Sequence, residues 1–393
     1  MFSLPHMVLT LFIVTLVLLV IHAILIETYR HWFLKMKPFV LSENEVATTR
    51  FSIIIPARNE EVQIENCLLS VLSQSYPNTL FEVIVVDDYS TDNTAAIVTS
   101  LQEKYPNLTL IQLEKLPDTK LLNSYKKKAI ELAIQQAAGD FIVTTDADCI
   151  VNKKWLQNLD AFIRQTGAVF VAAPVKFTDK KSFVSRFQCL DFMSLQGITA
   201  AAVAAGFHSM CNGANLAYSK QVFNEVGGFK GIDNIASGDD MMLMHKIVGQ
   251  HKKGVQFLFS LEAVVCTEPM PTWKDFLNQR IRWASKADKF DDKRIIAVLA
   301  FVYLFNLSFI VVPIVGFWHL QPDSYRVWYW WVAMLVFKTI IELRFMWPVA
   351  KFFKEEKLLK WFVIMQPFHI CYTIIAGWLG KFGNYNWKGR KVK

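Results

Sequence analysis

The chain is 393 residues long, 53% hydrophobic and 14% aromatic, with a formal net charge of +8. It is too apolar for an ordinary soluble domain, and the excess sits at the two ends, which points to membrane spans and away from one oversized core. The positive charge flanks apolar runs and forms no basic stripe with interleaved aromatics, which favours anionic lipid heads and excludes nucleic acid as a partner.

In chain order, Met7 to Ile26 is a stretch of 20 residues without Asp, Glu, Lys or Arg, long enough to cross the hydrocarbon core. Arg30, His31, Lys35 and Lys37 follow it and place the next segment in the cytoplasm. The run lacks a basic start and a small-residue cleavage site, so residues 1–30 read as an uncleaved transmembrane anchor.

The pattern changes near Arg50. Phe51 to Ile55, closed by Pro56, predicts a buried strand, and Asn59 to Ser73 has helical spacing through Val62, Ile64, Leu68, Leu69 and Leu72. Phe81 to Val86 predicts a second strand, Thr91 to Tyr105 a helix, and Leu108 to Leu113 a third strand. Lys126 to Ala138 predicts another helix and Phe141 to Thr145 a fourth strand. Strands alternating with helices of this length imply an α/β domain with a mostly parallel sheet, expected over residues 48–290 on the cytoplasmic side.

Beyond Trp155 the pattern is less regular. Ser182 to Gly197 places Phe183, Phe187, Leu190 and Met193 near one helical face, and Thr272 to Lys289 does so with Trp273, Phe276, Leu277 and Ile281. Both suit amphipathic helices lying at a membrane surface, with ordinary core helices as the plainer alternative. Residues 295–380 are expected to hold two to three spans: Ile295 to Leu320, a run starting at Val327, and Trp361 to Gly380 with a kink at Pro367. Lys338 and Glu342 are four apart in the middle run and can pair on one helical face. Four crossings in all would put the basic tail, residues 381–393 with five Lys or Arg, outside the cell. Either one C-terminal segment is re-entrant or the tail breaks the charge rule. Six widely spaced cysteines without a Cys-x-x-Cys pair signal neither a zinc site nor a disulfide framework, so reduced thiols are expected.

Three carboxylate clusters stand out. Asp87-Asp88 and the Asp146/Asp148 pair directly follow strand-like runs, where an open α/β sheet presents side chains to a ligand, and Asp239-Asp240 lies further on. Acidic groups gathered in one crevice repel each other and any phosphate, so a divalent cation is the natural missing partner.

Pro56-Ala57-Arg58-Asn59-Glu60, Val85 to Asp92, Thr145 to Asp148, Gly238-Asp239-Asp240 and Gln279-Arg280-Ile281-Arg282-Trp283 form an ordered set. That set resembles the inverting family 2 glycosyltransferases, and within them the membrane-embedded branch of cellulose, chitin and hyaluronan synthases and ceramide glucosyltransferases. The resemblance covers roughly residues 50–290 and the flanking spans. It implies a GT-A-type fold, a mostly parallel sheet with flanking helices. It further implies transfer of a sugar from a nucleotide-sugar, UDP-linked, to a lipid-linked or glycan acceptor at the cytoplasmic face of a bacterial inner membrane.

The resemblance also implies roles. Asp148 would bind the divalent cation (Mg2+ or Mn2+), and Asp146 the nucleotide or the metal's water shell. Asp88 would accept from the base, and Pro56, Ala57, Arg58 and Glu60 would line the base pocket, mainly through backbone. Lys126 is the best positional match for a phosphate contact, with Lys127 or Lys128 as alternatives. Asp240 would be the general base, its neighbour Asp239 raising its pKa. Arg282 would hold the diphosphate, Trp283 would stack on an acceptor sugar or close the site, and Gln279 shares a helix face with Arg282.

Plainer readings stand beside these. Asp88, Ser90 and Thr91 could cap the following helix, Glu60 could be a first-turn carboxylate, and Asp239-Asp240 could cap the helix Met241 to Val248. Arg282 and Trp283 could be interfacial anchors. The chain also departs from the family pattern: Glu131 stands where Asn is expected, Asp239 stands where Glu is common, and only one span precedes the domain. The rival functions are a processive polysaccharide synthase and a membrane protein that binds nucleotide-sugar without turnover.

Overall fold

A strand written as an unbroken apolar run needs both faces covered. Phe51–Ala57 (β1) meets that need: every residue but Pro56 is buried, with Phe81–Asp87 (β2) on one side and Phe141–Thr144 (β4) on the other, both parallel to it. Leu108–Gln112 (β3) extends the sheet beyond β2. The structure, a computed structural model, describes residues 4–42, 45–115, 125–232, 238–317, 325–383, 385–387 and 390–392.

The expected strand is extended at its end, because Pro56 lies inside β1 and does not close it. Pairing with β4 stops at Ile54 opposite Thr144, whereas pairing with β2 continues to Ala57 opposite Asp87. The proline thus sits where one neighbour has already left, and its missing N–H breaks no ladder there.

Leu4–Lys35 (α1) is the N-terminal helix, and Ile64–Leu72 (α2), Thr94–Gln102 (α3) and Tyr125–Gln136 (α4) alternate with the first strands. Two of these begin later than their apolar spacing predicted. Asn59 takes a left-handed φ of 52°, which delays α2 to Ile64. Asp92 accepts from the Thr94 N–H (3.0 Å) and hydroxyl (2.6 Å), which fixes the start of α3. The chain before β4 passes very close to β1: a Cβ on Gly139 would lie 2.6 Å from the Ser52 backbone nitrogen. Gly139→Ala is therefore expected to destabilise the domain by about 1–3 kcal/mol. A thermal melt in detergent checks this, and an unchanged midpoint would show that the turn can yield.

The second half supplies short elements. Trp155–Thr166 (α5) leads to Phe170–Ala172 (β5) and Val175–Phe177 (β6), then Phe183–Ala204 (α6), Leu216–Ser219 (β7) and Lys220–Glu225 (α7). Asp239–His251 (α8), Val255–Phe257 (β8), Val265–Thr267 (β9) and Trp273–Ala284 (α9) follow. The sheet order is β3-β2-β1-β4-β7-β5-β8, with β7 antiparallel to its neighbours, and β6 pairs β9 in a small second sheet.

The C-terminal helices are Lys293–Phe317 (α10), Tyr325–Phe353 (α11) and Phe362–Phe382 (α12), followed by Tyr385–Trp387 (β10) and Arg390–Val392 (β11), an antiparallel pair. Among the described residues, 3 helices are long and apolar enough to cross a membrane: Leu9–Lys35, Lys293–Phe317 and Glu356–Phe382. The expected Ile295 to Leu320 run is described as far as Phe317, residues 318–324 lying outside the described set, and the run from Val327 lies in α11, which is not among those three.

Helix α11 carries the charged residues expected to pair. Lys338 Nζ lies 2.7 Å from Glu342, which also meets His22 of α1 at 2.9 Å, and Lys338 donates to Gln366 of α12 at 2.7 Å. For Ser182 to Gly197 the burial fits the plainer alternative, a core helix. Helix α6 is buried along most of its length and packs against α1, α11 and α12. Its small residues, Ala200, Ala201 and Ala202, let neighbouring helices approach closely.

Candidate active site

Strands β1, β2 and β4 end side by side, and each hands its chain to a loop at the same edge of the sheet. The loops after β1 and β2 are tied together by backbone and side chain. Asp88 N–H donates to Ala57 O at 2.8 Å, Arg58 donates to the carbonyls of Asp88 (2.6 Å) and Tyr89 (3.3 Å), and Asn59 N–H donates to Ser90 Oγ at 3.0 Å. Glu60 N–H donates to Thr94 Oγ1 at 2.8 Å, and Asn59 Oδ1 accepts from Thr91 N–H at 2.8 Å. Pro56 to Glu60 therefore form one wall with the Asp88 loop. Asp88 and its neighbour Asp87 are both buried, and burial pushes the Asp87 carboxyl above its usual range.

Asp92, one residue before the N-cap Asn93, accepts from Thr94 at the start of α3, and Arg58 lies 3.9 Å from the Asp88 carboxylate. Glu60 lies at the entry to α2, ahead of its first turn. It sits four residues before α2, and its carbonyl accepts from Ile64 N–H at 2.9 Å.

The loop after β4 carries Asp146 and Asp148. Lys126, in the first turn of α4, donates to Asp146 at 2.8 Å and lies 4.0 Å from Asp239 at the start of α8. One ammonium thus joins two carboxylates that are 93 positions apart in sequence (239 − 146). Burial opposes its charge, but Asp146 and Asp239 outweigh that and hold the Lys126 pKa above its ordinary value. Lys127 and Lys128 go elsewhere: Lys127 donates to the Ile232 carbonyl at 2.6 Å, and Lys128 pairs with Glu131 at 3.2 Å. Of the three expected alternatives, Lys126 is the one in the cluster.

Asp148 accepts from Thr267 of β9 at 3.2 Å, and the bridge between Ile150 and Cys266 holds that strand beside the loop. Carboxylate oxygens of Asp146 and Asp148 and the sulfur of Cys149 all lie within 4.8 Å of one another. Burial, then the two carboxylates, push the Cys149 thiol well above its usual pKa, so it stays protonated. The available donors are hard oxygens, a set that fits Mg2+ or Mn2+.

Gly238 takes a left-handed φ of 80° and turns the chain into α8, so that Asp239 and Asp240 open the helix. The two oxygens of Asp240 are fixed separately: Oδ2 accepts from Gly213 N–H and Oδ1 from Met241 N–H, both at 2.8 Å. Gly213 O in turn accepts from Thr144 Oγ1 at 2.8 Å, which ties Asp240 to the end of β4. Burial first, and then the charge of Asp239, raise the Asp240 pKa. The two carboxylates are first-turn residues of α8, whose N-cap, Gly238, makes no side-chain cap bond.

Helix α9 presents two stripes. Gln279 and Arg282 fall on one, and the chain beyond the helix continues it to Lys286, which is buried and close to Gly238. Burial and the nearby Arg282 push the Lys286 pKa down to about 7, against the opposing pull of Asp240 and Asp239. Phe276, Arg280 and Trp283 fall on the other stripe, with the Arg280 guanidinium 4.2 Å from the Trp283 ring centroid. Sequence reasoning gave no role to Lys286 or Arg280. The seven-residue spacing from Gln279 to Lys286 was the available signal for the first. Nothing local marked the second, whose partner lies on α6.

Asp146, Asp148, Asp239, Asp240, Lys126 and Lys286 therefore form one cluster of charges, with Arg58 at the same sheet edge after the neighbouring β1 and Asp88 after β2, two strands from β4. The arrangement can hold a phosphorylated ligand between cations and a metal, beside a carboxylate suited to accept a proton.

Comparison with known proteins is consistent with this. The description "Glycosyl transferase family group 2" matches residues 141–378, and "Glycosyl transferase family 2" matches residues 52–227. "Probable glycosyltransferase YdaM" of Bacillus subtilis is 28% identical over 246 residues, 62% of this chain and 56% of that protein. "Glycosyltransferase AglE" of Haloferax volcanii is 27% identical over 231 residues, 59% of this chain and 70% of that one. The chain thus spans little more than half the length of the first relative. Among solved structures, the mannosyltransferase PcManGT from Pyrobaculum calidifontis, in complex with GDP-Man and Mn2+, superposes with a TM-score of 0.60 at 19% identity, covering 91% of this chain and 99% of that one. The fold is accordingly the GT-A type, a mostly parallel sheet with flanking helices.

Proposed function

Because the chain belongs to glycosyl transferase family group 2, we propose that it is an inverting, metal-dependent hexosyltransferase. It takes a sugar from a nucleotide-sugar, UDP-linked, to a lipid or glycan acceptor at the cytoplasmic face of a membrane. The observation that carries this reading is the Lys126 bridge between Asp146 and Asp239, which gathers the strand-end acids and the α8 acids around one cation.

The reaction then needs few parts. The acceptor hydroxyl gives its proton to Asp240 as its oxygen attacks the anomeric carbon. The bond from that carbon to the diphosphate oxygen breaks on the opposite face, and the nucleoside diphosphate leaves. The raised pKa of Asp240 strengthens it as a base, and its two backbone N–H contacts fix the direction of the carboxylate. A divalent cation held by Asp146 and Asp148 would, when bound, offset the charge developing on the leaving diphosphate. Lys126, Lys286 and Arg282 add positive charge on the pocket's other sides, while Asp88 and the Pro56 to Glu60 wall suit the nucleoside end.

Three apolar helices of membrane-spanning length, and a basic segment after the first, support a membrane setting with the domain inside. Membranes holding the chain, incubated with a panel of UDP-sugars and GDP-mannose with and without Mn2+, test the reading. Metal-dependent release of nucleoside diphosphate together with a glycosylated product is expected. Nucleotide binding indifferent to metal, with no turnover of any donor, would favour a binding protein instead.

Lys286 gives the site a pH response. Its charge favours a bound diphosphate, so donor affinity is greatest below its pKa of about 7 and falls as pH rises through that value. One screened contact is worth about two- to fivefold in affinity. Donor titrations at pH 6 and pH 8.5 should show that loss in the native chain and not in Lys286→Met; a slope retained in the variant would assign the titration to another group.

A further inference from the structure

Arg280 is the residue of the α9 motif that turns away from the pocket, and it is only 4% exposed. A guanidinium so placed requires a matching anion, since an unpaired buried charge is costly. Asp191 of α6 supplies it: one carboxylate oxygen accepts from Arg280 Nε at 3.1 Å and from Nη2 at 2.7 Å. The other oxygen accepts from the Tyr372 hydroxyl of α12 and lies 3.8 Å from His369. The remaining Arg280 terminus donates to Gln279 Oε1 at 2.7 Å, and the guanidinium plane lies over the rings of Phe276 at 4.7 Å and Trp283 at 4.2 Å. Arg280 thus touches both Gln279 and Trp283 from behind, and its anchor belongs to two other helices. Tyr372 also packs edge-on against Phe276 at 5.1 Å, and Trp273 stacks on Phe368 at 5.7 Å, so α9 and α12 are joined along their length.

We propose that Arg280, held by Asp191 and Tyr372, is a positioning residue that sets the orientation of the Gln279 side chain at the acceptor side of the pocket and fixes the Trp283 ring against α9. The inference rests on the transferase reading above and adds a component of the machinery. In that reading the donor's nucleoside end meets the β1 and β2 loops and its diphosphate meets Lys126, Lys286 and Arg282, so loosening the hold on Gln279 and Trp283 affects turnover and acceptor use and leaves nucleotide binding within about twofold. An ion pair that served stability alone would behave differently, because a buried pair can be exchanged for apolar side chains of similar volume with little loss of stability.

The decisive experiment compares the full chain in detergent or nanodiscs with the double variant Asp191→Leu/Arg280→Met and the single variant Tyr372→Phe. Turnover is expressed per nucleotide-binding site, counted by UDP titration. The double variant is expected to keep its UDP Kd within about twofold while kcat falls at least tenfold and the acceptor KM rises. Tyr372→Phe, which removes one contact to Asp191, should shift the same two parameters in the same direction by less. Should the double variant fail to fold, Tyr372→Phe decides by the same criterion. Turnover per site within twofold of the native chain in every folded variant overturns the positioning role. A native chain that binds UDP but transfers no sugar brings down the transferase reading, and this inference with it.

Discussion

Asp240→Asn is expected to lower sugar transfer by about 10²–10⁴-fold, the usual worth of a positioned general base, while the donor still binds. The amide fills the same space and its single oxygen can keep one of the two backbone contacts, to Gly213 or to Met241, while the other is lost. What disappears is the lone pair that takes the acceptor's proton. The partner experiment is Asp239→Asn. Asp239 raises the Asp240 pKa and faces Lys126, so its neutralisation should weaken the base and loosen the Lys126 bridge, a smaller loss than at Asp240 itself. A base must be deprotonated, so activity rises with pH through the Asp240 pKa. Because that pKa is raised, the acid limb of the rate profile lies above the ordinary aspartate value of about 3.9. In Asp239→Asn the limb should move down. If Asp239→Asn is the dead variant and Asp240→Asn the mild one, the two roles are exchanged.

Removal of divalent cations with a chelator should cost nearly as much. Charge stabilisation of a leaving diphosphate by a metal is worth several kcal/mol, on the order of 10²–10⁴-fold at ~1.4 kcal/mol per tenfold. Asp148→Ala should reproduce that loss at ordinary metal concentrations, and excess Mn2+ should recover only part of it. Asp146→Ala is expected to be more complex, since its carboxylate also holds Lys126 at 2.8 Å. The neighbouring thiol provides an internal control. Burial keeps Cys149 protonated, so Cys149→Ser should leave metal dependence unchanged. A preference for cadmium that vanishes in Cys149→Ser would show that sulfur takes part. Full activity after exhaustive chelation would remove the metal from the mechanism.

The first four strands were legible because parallel strands, covered on both faces, are written as apolar runs, and Phe51 to Ile55 and Phe81 to Val86 are clear examples. Helix starts were less so. The onset of α2 and α3 depends on a left-handed Asn59 and on Asp92 as the acceptor from Thr94, and both are polar details that apolar spacing does not register. Strands β5 to β9 run to only 3 or 4 residues each, shorter than any periodicity can identify. Helix α6 was open to two readings, surface or core, because Phe183, Phe187, Leu190 and Met193 fall near one face and its polar residues carry no mark of their partners. Those residues meet partners distant in sequence, Asp191 with Arg280 and Gln188 with the Met270 backbone.

The site divides in the same manner. Asp88, Asp146, Asp148 and Asp240 were singled out by ordered motifs, while separating Lys126 from Lys127 and Lys128 needed coordinates, since three adjacent lysines differ only in the direction each side chain takes. Lys286 and Arg280 went unread for a related reason. Their significance lies in what faces them, and the facing groups are on α8 and α6.

The contact between His22 and Glu342 joins residues separated by 320 positions. At ~5–20 residues per second a ribosome needs roughly 15–65 s to deliver the second after the first. During that interval α1 carries an imidazole still lacking its partner, and the whole α/β domain emerges in between. Assembly of this protein is therefore ordered in time: the domain has its opportunity to fold on a tethered, unfinished chain, and the helical bundle closes over it last.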